Sequence, residues 1–241
     1  MKTPKPLLNR IAQIKGMETG RKRLIIVTGQ LGDFDSLEYA QVLVRRLDQL
    51  QDRGIKVQML AIGTNIGANR FCDFTGFPRQ QLEVSAIPTL HEDLELEAGL
   101  KLPGGPWLGF LLMCAGIRSP GTLQEVLRGY TGDRSAPQIF TDDDLVQALP
   151  FLTFRGNAFR CVGGDGFQRP FELATWRLRN MSEVLRHWRT YVPCDDYITQ
   201  RGATYFLDVD DTLLYKYRNQ SLLKYSETMA TPLAFLDQYF L

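Results

Sequence analysis

The first unbroken apolar stretch of the chain is Leu24-Ile25-Ile26-Val27, framed by Arg23 and Thr28. A short, mostly β-branched run of this kind predicts a strand covered on both faces. Gly29-Gln30-Leu31-Gly32 then reads as a turn, and Asp33 or Asp35 as the cap of a helix, with Asp35 and Glu38 at capping-box spacing. Leu37, Ala40, Leu43 or Val44, Leu47 and Leu50 recur at i+3/i+4 steps and form the inner face of that helix. Gly54 closes it, and Lys56 to Ile62 reads as a second strand. Strand, helix and strand in this order predict parallel pairing through a right-handed crossover. A second helix runs from Gly63-Thr64-Asn65 through Phe71 and Phe74 to the stop Gly76-Phe77-Pro78. A third strand is expected over 82–86 and a short helix over 88–98.

The rhythm breaks over 100–195, which holds glycine pairs, several helical stretches and few strand signals. The clearest helix there is 170–190, with Phe171, Ala174, Leu178, Met181, Leu185 and Trp188 on one stripe. Asp142-Asp143-Asp144 reads as the cap of a helix beginning near Leu145. Trp107 to Ile117, the longest apolar run, reads as the core of this region rather than as an exposed docking patch, and is too short to span a bilayer. Alternation returns at 203–208 and 213–218, a hairpin, and a last helix is expected over 222–239.

Composition narrows the class. The chain has 241 residues, 44% of them hydrophobic, which fits a folded domain rather than disorder, and its net charge of +1 predicts no nucleic-acid partner. That near-zero sum hides an asymmetry. Residues 1–23 hold seven basic residues against Glu18 alone, or +6, which leaves −5 on the remainder. Leu7, Leu8, Ile11 and Ile14 share one helical face, so the segment reads as a short helix packed on the domain edge. The sharper alternative is a basic arm over 1–22 that docks on a protein partner or peripherally on a membrane. Cys72, Cys114, Cys161 and Cys194 have no metal-ligand spacing and make no disulfide framework. The expectation is a reducing, cytosol-like compartment with no metal and no cofactor.

Three segments carry a family likeness: AIGTNIGANRFCDFTGFP (61–78), LEVSAIPTLHEDLELEAGL (82–100) and QRGATYFLDVDDTLLYKYR (200–218). They resemble the peroxiredoxin-like branch of the AhpC/TSA superfamily. The form with a long insertion and GDFDSLEYA is similar to proteins of cyanobacterial and plastid lineages. The resemblance implies an α/β, thioredoxin-like fold: a central mixed sheet flanked by helices, formed by 23–99 and 197–241, with a large mainly helical insertion at 100–196. It also implies where a redox thiol belongs, at the start of the helix after the first strand. Here that stretch is Gly32-Asp33-Phe34-Asp35-Ser36, which puts Asp33 and Ser36 on the two cysteine positions.

A helix N-terminus lowers a thiol's pKa, which is why a nucleophile belongs there. A carboxylate caps the same end but does no sulfur chemistry, and a serine there needs a base beside it. The expected function is therefore a peroxiredoxin-like protein without its redox cysteines, a non-catalytic binding or assembly module. Its partner would be a protein, met through 100–196 or the basic arm. The alternative is a thiol-dependent peroxidase using a relocated cysteine, Cys161 in an exposed loop or Cys72. Cys114 reads as buried, and Cys194 stands before Asp195-Asp196, an acidic setting for a thiolate.

One motif points elsewhere. Asp208-Val209-Asp210-Asp211-Thr212 matches the first motif of haloacid-dehalogenase-type phosphatases, in which the first Asp is the nucleophile and magnesium bridges it to the second. Apolar alternation on both sides and the short stretch that follows favour a hairpin turn instead.

Overall fold

In a computed structural model, which describes residues 2–149 and 152–240, the apolar run lies at the centre of the molecule. Strand β1 (Arg23–Gln30) is buried along its whole length. Its successive side chains point to opposite faces of the sheet. Leu24 and Ile26 enter one apolar cluster and Ile25 and Val27 another. Preceding it is helix α1 (Lys5–Ile11); Leu7, Ile11, Ile14 and Met17 are buried against the second face of the sheet. The apolar face of the basic segment is thus occupied within the fold, and only its charged side remains for other contacts.

After β1 come α2 (Phe34–Val44), α3 (Leu47–Asp52), β2 (Lys56–Ile62), α4 (Asn65–Thr75), β3 (Leu82–Ser85) and α5 (Thr89–Asp93). The middle of the chain holds α6 (Pro106–Cys114), α7 (Thr122–Thr131), β4 (Leu145–Leu149), β5 (Leu152–Arg155), α8 (Arg160–Gly163), α9 (Glu172–Arg186) and α10 (Trp188–Tyr191). Strands β6 (Ala203–Leu207) and β7 (Leu213–Arg218) follow. The sheet order is β3-β2-β1-β6-β7. Strands β1, β2 and β3 are parallel, and β6 and β7 antiparallel to their neighbours. This mixed five-stranded sheet flanked by helices is a thioredoxin-like fold. No helix among the described residues is long and apolar enough to cross a membrane.

Four sequence expectations need correction. The first long helix is two, broken at Arg45-Arg46. There Arg45 lies over the Trp176 ring, 4.8 Å from its centroid, and Arg46 reaches Asp237 at 2.8 Å. Leu145 begins a strand, not a capped helix: Val146 and Ala148 are buried while Leu145 and Gln147 are exposed, the two-residue period of a half-covered hairpin with β5. The last segment is irregular, with a 3-10 turn at Ala234–Tyr239. Its apolar spacing is real, since Leu222, Tyr225, Leu233 and Leu236 are buried. But Pro232 opposes a helix, and two backbone N–H groups are taken by other elements: Leu222 N donates to Ser119 Oγ and Leu223 N to Asp35 Oδ1. Lastly, α6 buries Gly109 and Met113 yet leaves Trp107, Leu108 and Leu111 exposed, so the Trp107–Ile117 run is only partly a core.

Candidate functional site

Strand β1 ends in the turn Leu31-Gly32-Asp33, which delivers the chain to the start of α2. Residues from the 100–196 stretch close over this turn. A Cβ on Gly32 would lie 2.4 Å from Val192 Cγ2 and 3.0 Å from Tyr191 Cβ. Gly32→Ala is therefore expected to lower stability by about 1–3 kcal/mol through overpacking. Urea unfolding measures it, and an unchanged midpoint would show that Tyr191 and Val192 are not seated there.

Asp33 is the N-cap of α2, its Oδ1 accepting the Asp35 N–H at 3.3 Å. Its other oxygen faces Arg201, which comes from the loop before β6. Arg201 is only 1% exposed. It donates from Nη2 to Asp33 Oδ2 at 2.9 Å and from Nη1 to Asp35 Oδ2 at 3.1 Å. Its own position is fixed by Nε donating to Thr199 O and by its backbone N–H donating to Glu97 O. The fork of one guanidinium thus holds two nearly buried carboxylates. Burial raises the pKa of Asp33 and raises that of Asp35 well above the usual carboxylate range. Asp33 and Glu38 push Asp35 further up, and Arg201 pulls both back. The two carboxyls titrate as a pair.

A second network lies one turn along α2. Glu38 is 3% exposed and accepts from Arg177 of α9 at 2.7 and 3.2 Å. Arg177 also donates to the Glu125 backbone carbonyl at 2.8 Å and to its carboxylate at 3.4 Å, so one side chain ties α2, α7 and α9 together. Burial alone would lower the Arg177 pKa; Glu38 and Glu125 outweigh it and raise it. Tyr225 adds a hydrogen bond from its hydroxyl to Glu38 Oε1 at 3.2 Å.

Between these networks and helices α6, α7 and α9 lies a half-open cavity of about 390 Å³. Asp33, Asp35 and Arg177 form its polar end, while Phe34, Phe110, Leu178 and Met181 are among its apolar walls. Cys114 lines it as well. The sequence reading has Cys114 buried; in the structure it is half-buried and faces the candidate site, the only cysteine among the described residues to line this cavity. Burial raises its pKa, with Asp33 and Asp35 adding to the rise and Arg201 opposing it. Cys72 is buried on α4, its pKa pushed up by burial to about 11. Cys161 is exposed, on the short helix α8 rather than in a loop, and Cys194 is half-buried with its thiol 3.7 Å from Asp196 Oδ2. Neither lines the cavity. Ser36 is 1% exposed and its Oγ meets no hydrogen-bond partner, so no base activates it. His91 is engaged elsewhere, its Nε2–H donating to Thr28 O at 2.7 Å.

Asp208 to Thr212 is the turn of the β6–β7 hairpin. Asp208 N donates to Thr212 O, Asp210 accepts from Thr212 N, and Asp211 pairs with Arg23. No group of three metal-ligating side chains occurs among the described residues. The sequence names Asp33 and Asp35, and Glu38 as a capping-box partner of Asp35; in the structure Asp33 is the cap and Glu38 pairs with Arg177, and neither Arg201 nor Arg177 is marked by sequence as their setting. A signal was present: three acids at positions 33, 35 and 38, on a helix buried along much of its length, require cations from elsewhere.

The model of the family described as AhpC/TSA antioxidant enzyme matches residues 42–221. The chain belongs to that family. The AhpC/TSA match runs across 100–196 instead of stopping there, so the helical stretch lies within the family span. It begins after Asp33–Ser36, and the site turn itself lies outside the matched residues. No curated protein and no solved structure matches the chain.

Proposed function

We propose that this AhpC/TSA protein has no redox cysteine at the usual place and works as a binding module rather than as a thiol peroxidase. One observation carries the reading: the N-terminus of α2, where a thiolate would be generated, is filled by Asp33 and Asp35 locked on Arg201. Carboxylates there repel a thiolate and engage Arg201, a buried cation that would otherwise stabilise it. On this reading Asp33 and Ser36 stand at the family's cysteine positions. The adjoining cavity offers a place to bind, and the charged outer side of residues 1–22 a surface for a protein partner.

The second reading has one specific observation in its favour. Cys114 lines the same cavity and could serve as a relocated peroxidatic thiol in place of Cys161 or Cys72. Such a thiolate takes one oxygen from a peroxide, leaving sulfenic acid and water or an alcohol. Its raised pKa opposes this.

Peroxide consumption by the purified chain with thioredoxin or dithiothreitol decides between the two. The expected rate equals that of the reductant alone. A rate above it that disappears in Cys114→Ser, Cys161→Ser or Cys72→Ser overturns the binding-module reading and identifies the thiol.

A further inference from the structure

The cavity beside Asp33 and Asp35 has two unlike ends. Its walls are apolar, and Tyr130 and Phe171 at its edge are about half exposed, with rings edge-to-face at 6.1 Å. Large aromatic side chains left open to water at the rim of a concave site are the usual lining of a small-molecule pocket. At about 390 Å³ the space lies at the small end of the range for such sites, about 300–1,000 Å³. Two lining residues, Phe171 and Leu223, hold φ at 66° and 59°, a region that non-glycine residues rarely adopt. The strained Leu223 backbone is what aims its N–H at Asp35 Oδ1, at 2.6 Å.

The polar end has more acid than base. Of the charged side chains lining it among the described residues, Asp33 and Asp35 are acids and Arg177 is the cation; Arg201 pairs with both aspartates without lining the cavity, and Glu38 and Glu125 hold Arg177. Arg128, which does not line the cavity, meets the same Glu125 oxygen as Arg177 and also pairs with Asp133. Both central guanidiniums are already forked onto acids. Each oxygen of Asp33 and Asp35, by contrast, accepts one protein N–H and keeps a further lone pair. An anionic head entering here meets two carboxylates and no uncommitted cation. A neutral apolar molecule leaves those acceptors dry and unanswered. A cation answers both the charge and the lone pairs.

We infer that this cavity binds a small cationic amphiphile, with an ammonium head against Asp33 and Asp35 and an apolar body along Phe34, Phe110, Leu178 and Met181. The inference rests on the binding-module reading and names the ligand class of that site.

Three probes of the same chain length test it on the full protein by calorimetric titration below their micelle concentrations: decylammonium, decanol and decanoate. Decylammonium is expected to bind at least about tenfold more tightly than either of the others, a difference of about 1.4 kcal/mol. Leu178→Trp, which fills the apolar wall without touching the ion pairs, is expected to weaken decylammonium at least about tenfold at unchanged secondary structure. Asp33→Asn should bring decylammonium and decanol level. Equal binding of all three probes, tighter decanoate, no binding, or indifference to Leu178→Trp overturns the inference. Peroxide turnover measured on the same samples reports separately on the underlying reading, so absence of both binding and turnover removes the ligand assignment alone.

Discussion

Arg201→Met is expected to lower folding stability by about 3–5 kcal/mol at neutral pH, because it strands two carboxylates that the fold has taken out of water. The side chain is 1% exposed, and Met approximates its length without its charge. The deficit should depend on pH in a defined direction. In the folded protein the carboxyl pKa values of Asp33 and Asp35 are raised, by burial first and, for Asp35, by its acidic neighbours. A group with a raised folded pKa contributes stability that is fully present below its unfolded pKa, near 3.8, and is lost as the pH rises through the folded value. Arg201 limits that loss in the native chain. Without it both values rise further, so the gap between variant and native protein should be small near pH 4 and widen towards pH 8, by up to about 1.4 kcal/mol for each extra pKa unit. Urea unfolding at the two pH values measures this. A deficit under about 1 kcal/mol, or one that does not change with pH, would mean that the carboxylates are solvated and the fork is incidental.

That prediction turns on a residue the sequence hardly advertises. Gln200-Arg201-Gly202 precedes a strand whose apolar pattern is plain, and a charged residue at a strand's edge ordinarily reads as solvated. What makes Arg201 interior is the pairing of β6 beside β1, a contact between residues nearly 180 positions apart in sequence. Local pattern carried the βαβ unit, the hairpin and the helix near residue 180 well, because each is decided by the period of its own apolar residues. It failed where the backbone's hydrogen bonds go to distant side chains. Leu222 and Leu223 have helical spacing, yet their N–H groups end on Ser119 and Asp35. The acids of the candidate site were legible as caps, and one of them is a cap. Their enclosure was not, since the groups that meet them, Arg201, Leu223 and Arg177, come from distant stretches whose placement no local pattern specifies. Cys114 shows the same limit: an apolar run marks it as inside, but not as facing a cavity.

The second large effect concerns how α9 is held over the sheet. Arg177→Met removes the only guanidinium the described structure pairs with Glu38, a carboxylate 3% exposed, and one of two that face Glu125. The expected cost is again about 3–5 kcal/mol, most of it from leaving Glu38 charged and dry. The consequence should differ in kind from that of Arg201. Arg177 bridges α2, α7 and α9, so its loss should raise amide exchange and protease cutting in α7 and α9 before β1, β2 and β6 open. Arg177→Lys keeps the charge but not the planar fork and should fall between the two. The decisive measurement is a double-mutant cycle. If the penalty comes from a stranded carboxylate, Glu38→Gln combined with Arg177→Met should be more stable than Arg177→Met alone, with a coupling of at least about 1 kcal/mol. If the two substitutions simply add, Arg177 holds α9 by packing its methylenes, and the ionic bridge contributes little to seating the helix that walls the cavity.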